Sequence, residues 1–403
     1  MTRLFHTFLL VSAVIAGNSA PAPAAIAEPV PPGLPAVPAA DPFYAQPASF
    51  DGSRMGEIVA SRVVDVRDIP ARAPLTSWQV KYVSQDSGGT PWTTVATIIR
   101  PAGGARTSEL VAFDPWIDAL DARCNPSYQL RAGAAYLAST GMITEMTSLV
   151  ALLDHGYTVV VPDYLGPENQ FTASYVEGRN TLDGIRAALN FAPAGLSQVT
   201  PVGMFGFSGG ARGTEFAAEL APDYAPELNL VGSVAIGLPV DLSNSGRRMN
   251  KSIFTGIDVI SAFALDRAYP DLNTSAMFKD PGLGSKVGGM CNVEAEAAFA
   301  FADGADMTFG RLWPLDDPKV AAVVQTLRAG RLGTPRAPLY LAVGVNDQVA
   351  LPDDNDRLAA DYRDRGVDLT YVKLPVVEHV TSIVVAAAPA MDWLAERLDR
   401  AGT

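Results

Sequence analysis

The pattern of hydrophobic and polar positions changes once along the chain. Residues 78–83 and 92–99 alternate apolar and polar side chains around a turn-forming stretch at 87–91, which predicts an antiparallel hairpin. Short, continuous apolar runs follow, separated by helical stretches, at residues 110–113, 157–161, 202–205, 230–235, 339–343 and 369–372. Continuous apolar strands are typical of a parallel sheet covered on both faces. We therefore predict an α/β fold built on a mostly parallel, doubly wound sheet.

Helices are predicted between these strands, and one interval is too long for a single helix. Apolar residues recur at helical spacing within residues 182–189, as expected for a helix with one face in the core. The interval from 240 to about 335 is roughly three times the length of a regular βα unit. The predicted domains are an α/β core at 51–240 and 336–403 and an inserted, mainly helical cap at 241–335.

The first 27 residues have the layout of a secretory signal peptide. Arg3 precedes an apolar run at 9–16, and small residues suited to cleavage follow between about Ala20 and Ala27. Residues 28–50 are dominated by Ala and Pro and are expected to form an extended, poorly ordered leader. No other stretch is long and apolar enough to cross a bilayer, so we expect a secreted protein without a transmembrane segment.

The chain is acidic, with a formal net charge of −13. It lacks the clustered basic residues that bind phosphate, so nucleic acids and anionic membranes are disfavoured and a neutral substrate fits better. No Cys or His cluster indicates a metal, and we expect no cofactor. Two cysteines, Cys124 and Cys291, are expected to pair in an oxidising compartment, with two buried free thiols as the alternative. The sequence does not indicate an oligomeric state.

The most specific chemical motif is Gly-Phe-Ser-Gly-Gly at residues 206–210, between an apolar run and a helix-forming stretch. This order is that of the nucleophile elbow of α/β-hydrolases, which makes Ser208 the predicted nucleophile. The serine lies on a tight, strained turn, so Gly206 and Gly210 must be nearly free of side chain. The helix that follows points its amides at the site, and the N–H of Gly209 is one predicted donor to an oxyanion.

A serine hydroxyl needs a base to accept its proton, and the chain has three histidines. His6 lies in the predicted signal peptide. His155 lies at a helix end before a buried strand, where a histidine commonly interacts with the helix dipole. His379 follows the last predicted strand and precedes the C-terminal helix, as the catalytic histidine of this fold does. Elimination and position therefore favour His379.

The acid that orients the base falls between serine and histidine along the chain. Asp347 directly follows a predicted strand, at the carboxyl end where functional loops gather. Asp353, Asp354 and Asp356 are alternatives, but they lie in or beside the first turn of a predicted helix, where acidic residues are common. Asp347 is the preferred acid.

Four longer blocks are more specific than the serine motif. They are Phe-Asp-Pro-Trp-Ile-Asp-Ala-Leu-Asp-Ala-Arg-Cys-Asn-Pro-Ser-Tyr at 113–128, Tyr-Val-Glu-Gly-Arg-Asn-Thr-Leu-Asp-Gly-Ile-Arg-Ala at 175–187, Ala-Pro-Asp-Tyr-Ala-Pro-Glu-Leu-Asn-Leu-Val-Gly at 221–232 and Pro-Val-Val-Glu-His-Val-Thr at 375–381. In this order they resemble the secretory lipases of the Candida antarctica lipase A type, over about residues 75–400. The resemblance implies that Ser208, Asp347 and His379 form the catalytic triad. It also implies that Asp118 supplies the second oxyanion N–H, with a carboxylate able to bond to the substrate or a neighbour.

The resemblance further implies a disulfide between Cys124 and Cys291 that ties the oxyanion loop to the cap. The chain departs from the family after its histidine, where only residues 380–403 remain and the family has a longer tail with a flap and a second disulfide. Lid-controlled activation at an oil surface is therefore not expected. The cap, which sets the acyl-chain preference, is the least similar part.

These features predict a secreted serine lipase or carboxylesterase. It would hydrolyse acyl esters, such as triacylglycerols or similar neutral lipids, through an acyl-enzyme. One alternative is an acyltransferase with the same triad, in which an alcohol replaces water as the acceptor. The other is a catalytically inactive homologue that only binds lipid.

Overall fold

A nine-stranded sheet lies at the centre of the protein in its computed structural model, which describes residues 34–103, 106 and 108–401. The strands are β1 (Ile58–Val64), β2 (Leu75–Gln85), β3 (Pro91–Pro101), β4 (Leu110–Asp114), β5 (Thr158–Pro162), β6 (Val202–Phe207), β7 (Leu230–Ile236), β8 (Leu339–Gly344) and β9 (Leu369–Leu374). Their order is β1-β2-β3-β5-β4-β6-β7-β8-β9. The pairs from β1 to β5 are antiparallel and the remaining five pairs are parallel. The predicted α/β fold with a mostly parallel sheet is confirmed.

Helices connect and cover the strands. They are α1 (Pro126–Ala132), α2 (Ala134–Leu137), α3 (Met146–Asp154), α4 (Ser174–Asn190), α5 (Gly209–Tyr224), α6 (Leu242–Met249), α7 (Thr255–Ala268), α8 (Leu283–Gly288), α9 (Asn292–Phe299), α10 (Gly304–Met307), α11 (Pro318–Thr326), α12 (Pro352–Asp364) and α13 (His379–Ala401). Helices α6 to α11 all lie between β7 and β8, in the stretch predicted to be a cap. We use that name for residues 241–335 below.

Both faces of the parallel strands are buried. Along β5, Val159 and Val161 belong to one apolar cluster and Val160 to another, because successive side chains point to opposite faces. The Val160 face packs against α4 and α5. The opposite face packs against α3 and α13, and its cluster continues into cap side chains such as Ile257 and Phe263. The cap therefore shares a hydrophobic core with one face of the sheet.

The N-terminal part differs from the expectation in two respects. Strand β1 was not predicted, because most of its residues are only partly buried at the edge of the sheet. The stretch expected to be a poorly ordered leader lies against the sheet from residue 35 onward. Asp41 pairs with Arg62 of β1 at 2.8 Å, and Gln46 exchanges two hydrogen bonds with the backbone of Thr93 in β3. The predicted signal peptide, with His6, lies outside the described residues.

A disulfide joins the segment after β4 to the cap. Cys124 and Cys291 are bonded, with Cα atoms 5.5 Å apart and 167 residues apart in sequence. Both side chains are buried. The pairing expected from the family resemblance is therefore present.

Loss of this disulfide should lower stability substantially. A cross-link that closes so long a loop restricts the unfolded chain, by about 4 to 5 kcal/mol in the entropy model. We expect Cys124→Ser/Cys291→Ser to unfold at a lower temperature than the oxidised protein in a thermal melt. Reductant should lower the melting temperature of the parent and leave that of the double variant unchanged. Equal melting temperatures, or two alkylatable thiols in the native protein, would contradict this.

Candidate active site

Ser208 lies at the turn between β6 and α5, in a strained backbone conformation. Its φ is 53° and its ψ is −120°, which residues other than glycine rarely adopt. Its N–H donates to the Ile236 carbonyl at 2.9 Å, which fixes the turn to β7. A Cβ added to Gly206 would lie 2.2 Å from the Gly210 carbonyl oxygen, and one added to Gly210 would lie 1.8 Å from the Asp114 carbonyl oxygen. The turn therefore has no room for a side chain at either glycine.

A hydrogen-bonded chain joins Ser208, His379 and Asp347. Ser208 Oγ lies 2.7 Å from Nε2 of His379, whose Nδ1 lies 2.9 and 3.0 Å from the two Asp347 carboxylate oxygens. The Asp347 carboxylate also accepts the N–H groups of Val349 and Ala350 at 2.9 and 2.7 Å, which fixes its orientation. In this geometry His379 can accept the hydroxyl proton while Asp347 holds the imidazole in the required tautomer.

The alternative histidine and acids lie away from this chain. His155 follows the last residue of α3 and stacks on Tyr157, with ring centroids 5.9 Å apart. Asp353, Asp354 and Asp356 all lie in α12. Asp354 and Asp356 are hydrogen-bonded to residues outside the triad. The structure thus brings together the three residues that the sequence favoured.

Two aromatic side chains enclose the His379 imidazole. Phe207, the last residue of β6, stacks on it with ring centroids 5.1 Å apart, and Phe254 of the cap meets it edge-on at 6.1 Å. Ser208 is only 1% exposed, so the site is closed to solvent in this structure. Sequence reasoning missed Phe254, because no local motif marks a contact made between distant segments.

The two expected oxyanion donors, Gly209 and Asp118, lie in contact beside the serine. Gly209 begins α5, where backbone amides have no partner within the helix. Asp118 has a φ of 39°, and its Oδ1 approaches so closely that a Cβ on Gly209 would lie 1.9 Å from it. This oxygen is buried without a hydrogen-bond partner among the described residues. Burial raises the pKa of Asp118 to about 7, so the neutral acid is well populated at neutral pH.

Glu145 anchors the loop that carries Asp118, a role that no sequence motif indicated. Its buried Oε2 accepts the N–H of Trp116 at 2.7 Å. The Trp116 indole then packs edge-on against Phe207, with ring centroids 6.2 Å apart. Burial, reinforced by the nearby Asp118 and Asp114 carboxyls, raises the pKa of Glu145 well above its ordinary value. This shift favours the neutral form of Glu145, which can accept the Trp116 N–H without adding a charge beside the loop.

A buried ion pair supports the other side of the elbow. Arg212, in the first turn of α5, lies 3.0 Å from the Glu177 carboxylate of α4. Its guanidinium also donates to the carbonyls of Pro239 and Thr172. Arg212 therefore ties the helix that follows Ser208 to α4 and to the segment that leaves β7 for the cap.

Neither a metal site nor a membrane-spanning helix is found among the described residues. No group of three or more His, Cys, Asp or Glu side chains there is arranged to hold a metal ion. No helix in the same part of the chain combines the length and apolar character that a membrane span requires.

Comparison with known proteins identifies the family. The family model described as secretory lipase matches residues 131–403. The chain belongs to the secretory lipase family. Lipase A of Arthroderma benhamiae is 32% identical to this secretory lipase, over 91% of the chain and 80% of the relative. A relative from Mycobacterium tuberculosis named as a probable inactive lipase is 35% identical, over 90% of the chain and 83% of the relative.

Solved structures share the fold. Candida antarctica lipase A in its closed state matches with a TM-score of 0.84 and 25% identity, over 91% of this chain and 87% of that one. The cell wall degrading esterase LipA from Xanthomonas oryzae matches with a TM-score of 0.68 and 16% identity, over 86% of this chain and 99% of that one. The second match supports the fold alone. Family and relatives together make this secretory lipase a carboxylic ester hydrolase.

The Glu145 contact can be tested by comparing two substitutions. Glu145→Ala removes the acceptor for the Trp116 N–H and should lower kcat by roughly 10- to 100-fold, because a displaced loop would misplace Asp118, one of the two expected oxyanion donors. KM should change less. Glu145→Gln keeps an acceptor oxygen and should restore most of kcat. Steady-state kinetics on a soluble ester would measure this, and equal kcat values for the two variants would contradict it.

The protein should lose stability as the pH rises from about 5 to 8. Burial raises the pKa of several carboxyl groups, among them Asp183 to about 6, Asp118, Asp163 and Asp258 to about 7, and Asp114 and Glu296 to about 8. In the unfolded chain these groups have their ordinary pKa of about 4, so between pH 5 and 8 the unfolded chain binds fewer protons than the folded protein. Each group can remove up to about 1.4 kcal/mol of stability per pH unit.

Urea unfolding at several pH values would measure this slope. Asp118→Asn removes one of the titrating groups and should flatten it. Asp353→Asn removes an exposed carboxyl and serves as the control, with the parent slope expected. Carboxyls whose pKa is lowered, such as Asp303, titrate below this pH window and do not obscure it. Constant stability from pH 5 to 8 would contradict the prediction.

Proposed function

We propose that this secretory lipase acts outside the cytoplasm on neutral acyl esters, through a covalent acyl-enzyme at Ser208. The observation that carries the proposal is the hydrogen-bonded chain from Ser208 through His379 to Asp347, which begins on a strained nucleophile elbow. The aromatic surroundings of His379 and the acidic chain favour a neutral, apolar substrate. Triacylglycerols fit this description, and relatives from Malassezia globosa are named secreted triacylglycerol lipases.

In the proposed reaction, Ser208 Oγ attacks the ester carbonyl carbon while His379 Nε2 accepts the hydroxyl proton. Asp347 orients the imidazole and stabilises the imidazolium that forms. The tetrahedral intermediate expels the alcohol, which takes the proton from His379. Water, deprotonated by His379, then attacks the acyl carbonyl carbon. The second tetrahedral intermediate expels Ser208 Oγ, which takes the proton back from His379, and the acid is released.

The developing oxyanion would be stabilised by the backbone N–H groups of Gly209 and Asp118. This stabilisation depends on the protonation state of the Asp118 carboxyl, because its Oδ1 lies against Gly209 and has no hydrogen-bond partner among the described residues. An ionised carboxylate there would repel the oxyanion, whereas the neutral acid could donate to it. The raised pKa of Asp118 supports the second state at neutral pH.

Extracytoplasmic location is supported by two independent features. The apolar run at residues 9–16 has the character of a signal peptide. The Cys124–Cys291 disulfide is of a kind that persists in oxidising compartments. Relatives named as secreted lipases are consistent with this location.

An inactive, lipid-binding protein is the second candidate, since the Mycobacterium tuberculosis relative carries the word inactive in its name. The triad geometry favours catalysis over this alternative. Labelling by a fluorophosphonate probe distinguishes the two, because the probe reacts only with an activated serine.

The triad assignment predicts a set of matched substitutions. Ser208→Ala and His379→Ala should each lower kcat for a p-nitrophenyl ester by roughly 10⁴-fold or more, because the two residues act as one unit. His155→Ala should remain close to wild type. Asp347→Asn should lower kcat far more than Asp353→Asn does, because it stabilises the wrong histidine tautomer. A Ser208→Ala enzyme with a tenth of the wild-type rate would refute the assignment.

A further inference from the structure

The cap joins the α/β core through two segments that lie side by side. The Ala329 N–H donates to the Val240 carbonyl at 3.1 Å, so the chain leaves the core and returns to it at one place. We call residues 240–241 and 328–333 the cap neck. Because both connections run through the neck, a ligand bound there would contact the part of the cap that is joined to the core.

The returning half of the cap neck is held from two sides. Three of its backbone amides donate to the Glu219 carboxylate of α5. Arg365, directly after α12, donates to the carbonyls of Gly330 and Gly333 at 3.1 and 2.9 Å. The backbone that carries Arg331, between these two glycines, is therefore fixed by the protein itself.

A cavity of about 480 Å³ lies between the cap neck and α12. Four arginines line it, against the single carboxylate of Asp361. They are Arg328 and Arg331 from the neck, Arg357 from α12 and Arg365 directly after that helix. Acidic residues are interspersed with them along the chain, so no basic run marks the site in the sequence. The fold thus gathers positive charge on a chain whose formal net charge is −13.

Two of the four arginines are paired with carboxylates. Arg365 pairs with Asp361, and Arg357 pairs with Asp354. The guanidinium of Arg365 is also occupied by the carbonyls of the neck. These two arginines therefore shape the wall of the cavity and leave the binding of an anion to the other two.

Arg328 and Arg331 retain unused donors. The Arg328 guanidinium lies 3.8 Å from the Asp241 carboxylate, which is beyond hydrogen-bonding distance. Arg331 is exposed, and within the part of the chain that the structure describes its side chain has no hydrogen bond and no ion pair. Each guanidinium presents five N–H donors in a planar fork. Together the two arginines form a positively charged pair of forks on one wall of the cavity.

The lining of the cavity favours a phosphoryl group over other anions. Phosphate oxygens match the guanidinium fork and form short, charge-assisted hydrogen bonds with it. A fatty acid would fit poorly, because Leu358 is the one large apolar side chain among the described residues that line the cavity. A free phosphate ion would fill only a small part of this volume, so a small, polar phosphate ester uses the cavity better.

We propose that the cap neck binds a phosphoryl group between Arg328 and Arg331, with the remainder of a small phosphate ester lying against α12. The site is separate from the triad, because Glu219, which holds the neck, lies about three helical turns beyond Ser208 along α5. The ligand is therefore distinct from the ester that Ser208 would attack. Because it contacts the neck and α12 together, it stabilises the attachment of the cap.

The test measures binding without catalysis. Isothermal titration calorimetry of the disulfide-bonded protein with glycerol 3-phosphate, at constant ionic strength, gives the Kd. Arg331→Gln should weaken binding roughly 10-fold or more, because a charged fork is lost. Arg331→Lys keeps the charge without the fork and should have a Kd between those of the parent and Arg331→Gln. Inorganic phosphate, titrated in parallel, distinguishes the free ion from the ester as the source of the phosphoryl group.

Arg336→Gln is the matched control. Arg336 is also exposed and lies near Arg331 in sequence, but it lines a different cavity beside α5. Its replacement makes the same change in charge and should leave the Kd within about twofold of the parent value. Without ligand, both glutamine variants should melt like the parent. Glycerol 3-phosphate should then raise the melting temperature of the parent and Arg336→Gln, and have little effect on Arg331→Gln.

Three outcomes would overturn the proposal. They are equal Kd values for Arg331→Gln and the parent, an equal loss of binding in Arg336→Gln, and displacement of glycerol 3-phosphate by acetate at matched ionic strength. The last result would show that any anion satisfies the arginines. Tighter binding of inorganic phosphate than of the ester, lost in Arg331→Gln, would support the site and assign it to the free ion.

Discussion

The left-handed turn at Ser208 is the constraint on which the rest of the site depends. A serine with this φ and ψ is stable only where its surroundings leave no alternative, and here those surroundings are backbone rather than side chain. Gly210 lies against the Asp114 carbonyl of β4, and Gly178 of α4 lies against the Phe216 backbone of α5. Backbone contacts cannot yield by a change of rotamer. The packing of β4, β6, α4 and α5 therefore fixes the direction of the hydroxyl.

The cap also helps to hold the surroundings of Ser208. It contacts the segment that carries Asp118 on one side and His379 on the other. Cys291, bonded to Cys124 beside the oxyanion loop, directly precedes α9. Helix α9 lies so close to α7 that a Cβ on Gly256 would lie 2.3 Å from the Ala295 backbone. Phe254, the residue before α7, covers the His379 imidazole. One covalent bond and two packed helices thus connect the loop that carries Asp118 to the residue that covers His379, so the cap is part of the proposed site as well as its cover.

The features that could be predicted from the sequence either lie within a short stretch of the chain or involve a residue type with few copies. The buried strands and the elbow are encoded within a few residues, and His379 was found because so few histidines compete with it. Strand β1 has too weak a pattern, since an edge strand leaves half of its side chains in solvent. Glu145 and Phe254 act through partners far away in sequence, and a single sequence does not record such contacts. Chain order admits Asp347 and the acids of α12 alike, and the sequence favours Asp347 only because it directly follows a strand. Its distance of 2.9 Å from His379 Nδ1 supports that choice.

Buried acids change how the charge of this protein should be interpreted. Asp114, Asp118, Glu145 and Glu296 lie near the elbow and the oxyanion loop, where desolvation favours their neutral forms. As neutral groups they can hold loops by hydrogen bonds without bringing several negative charges next to a developing oxyanion. Protonation of these groups near neutral pH would make the net charge less negative than the formal −13. The formal net charge therefore describes the surroundings of Ser208 poorly, because the carboxyls buried there are favoured in their neutral forms.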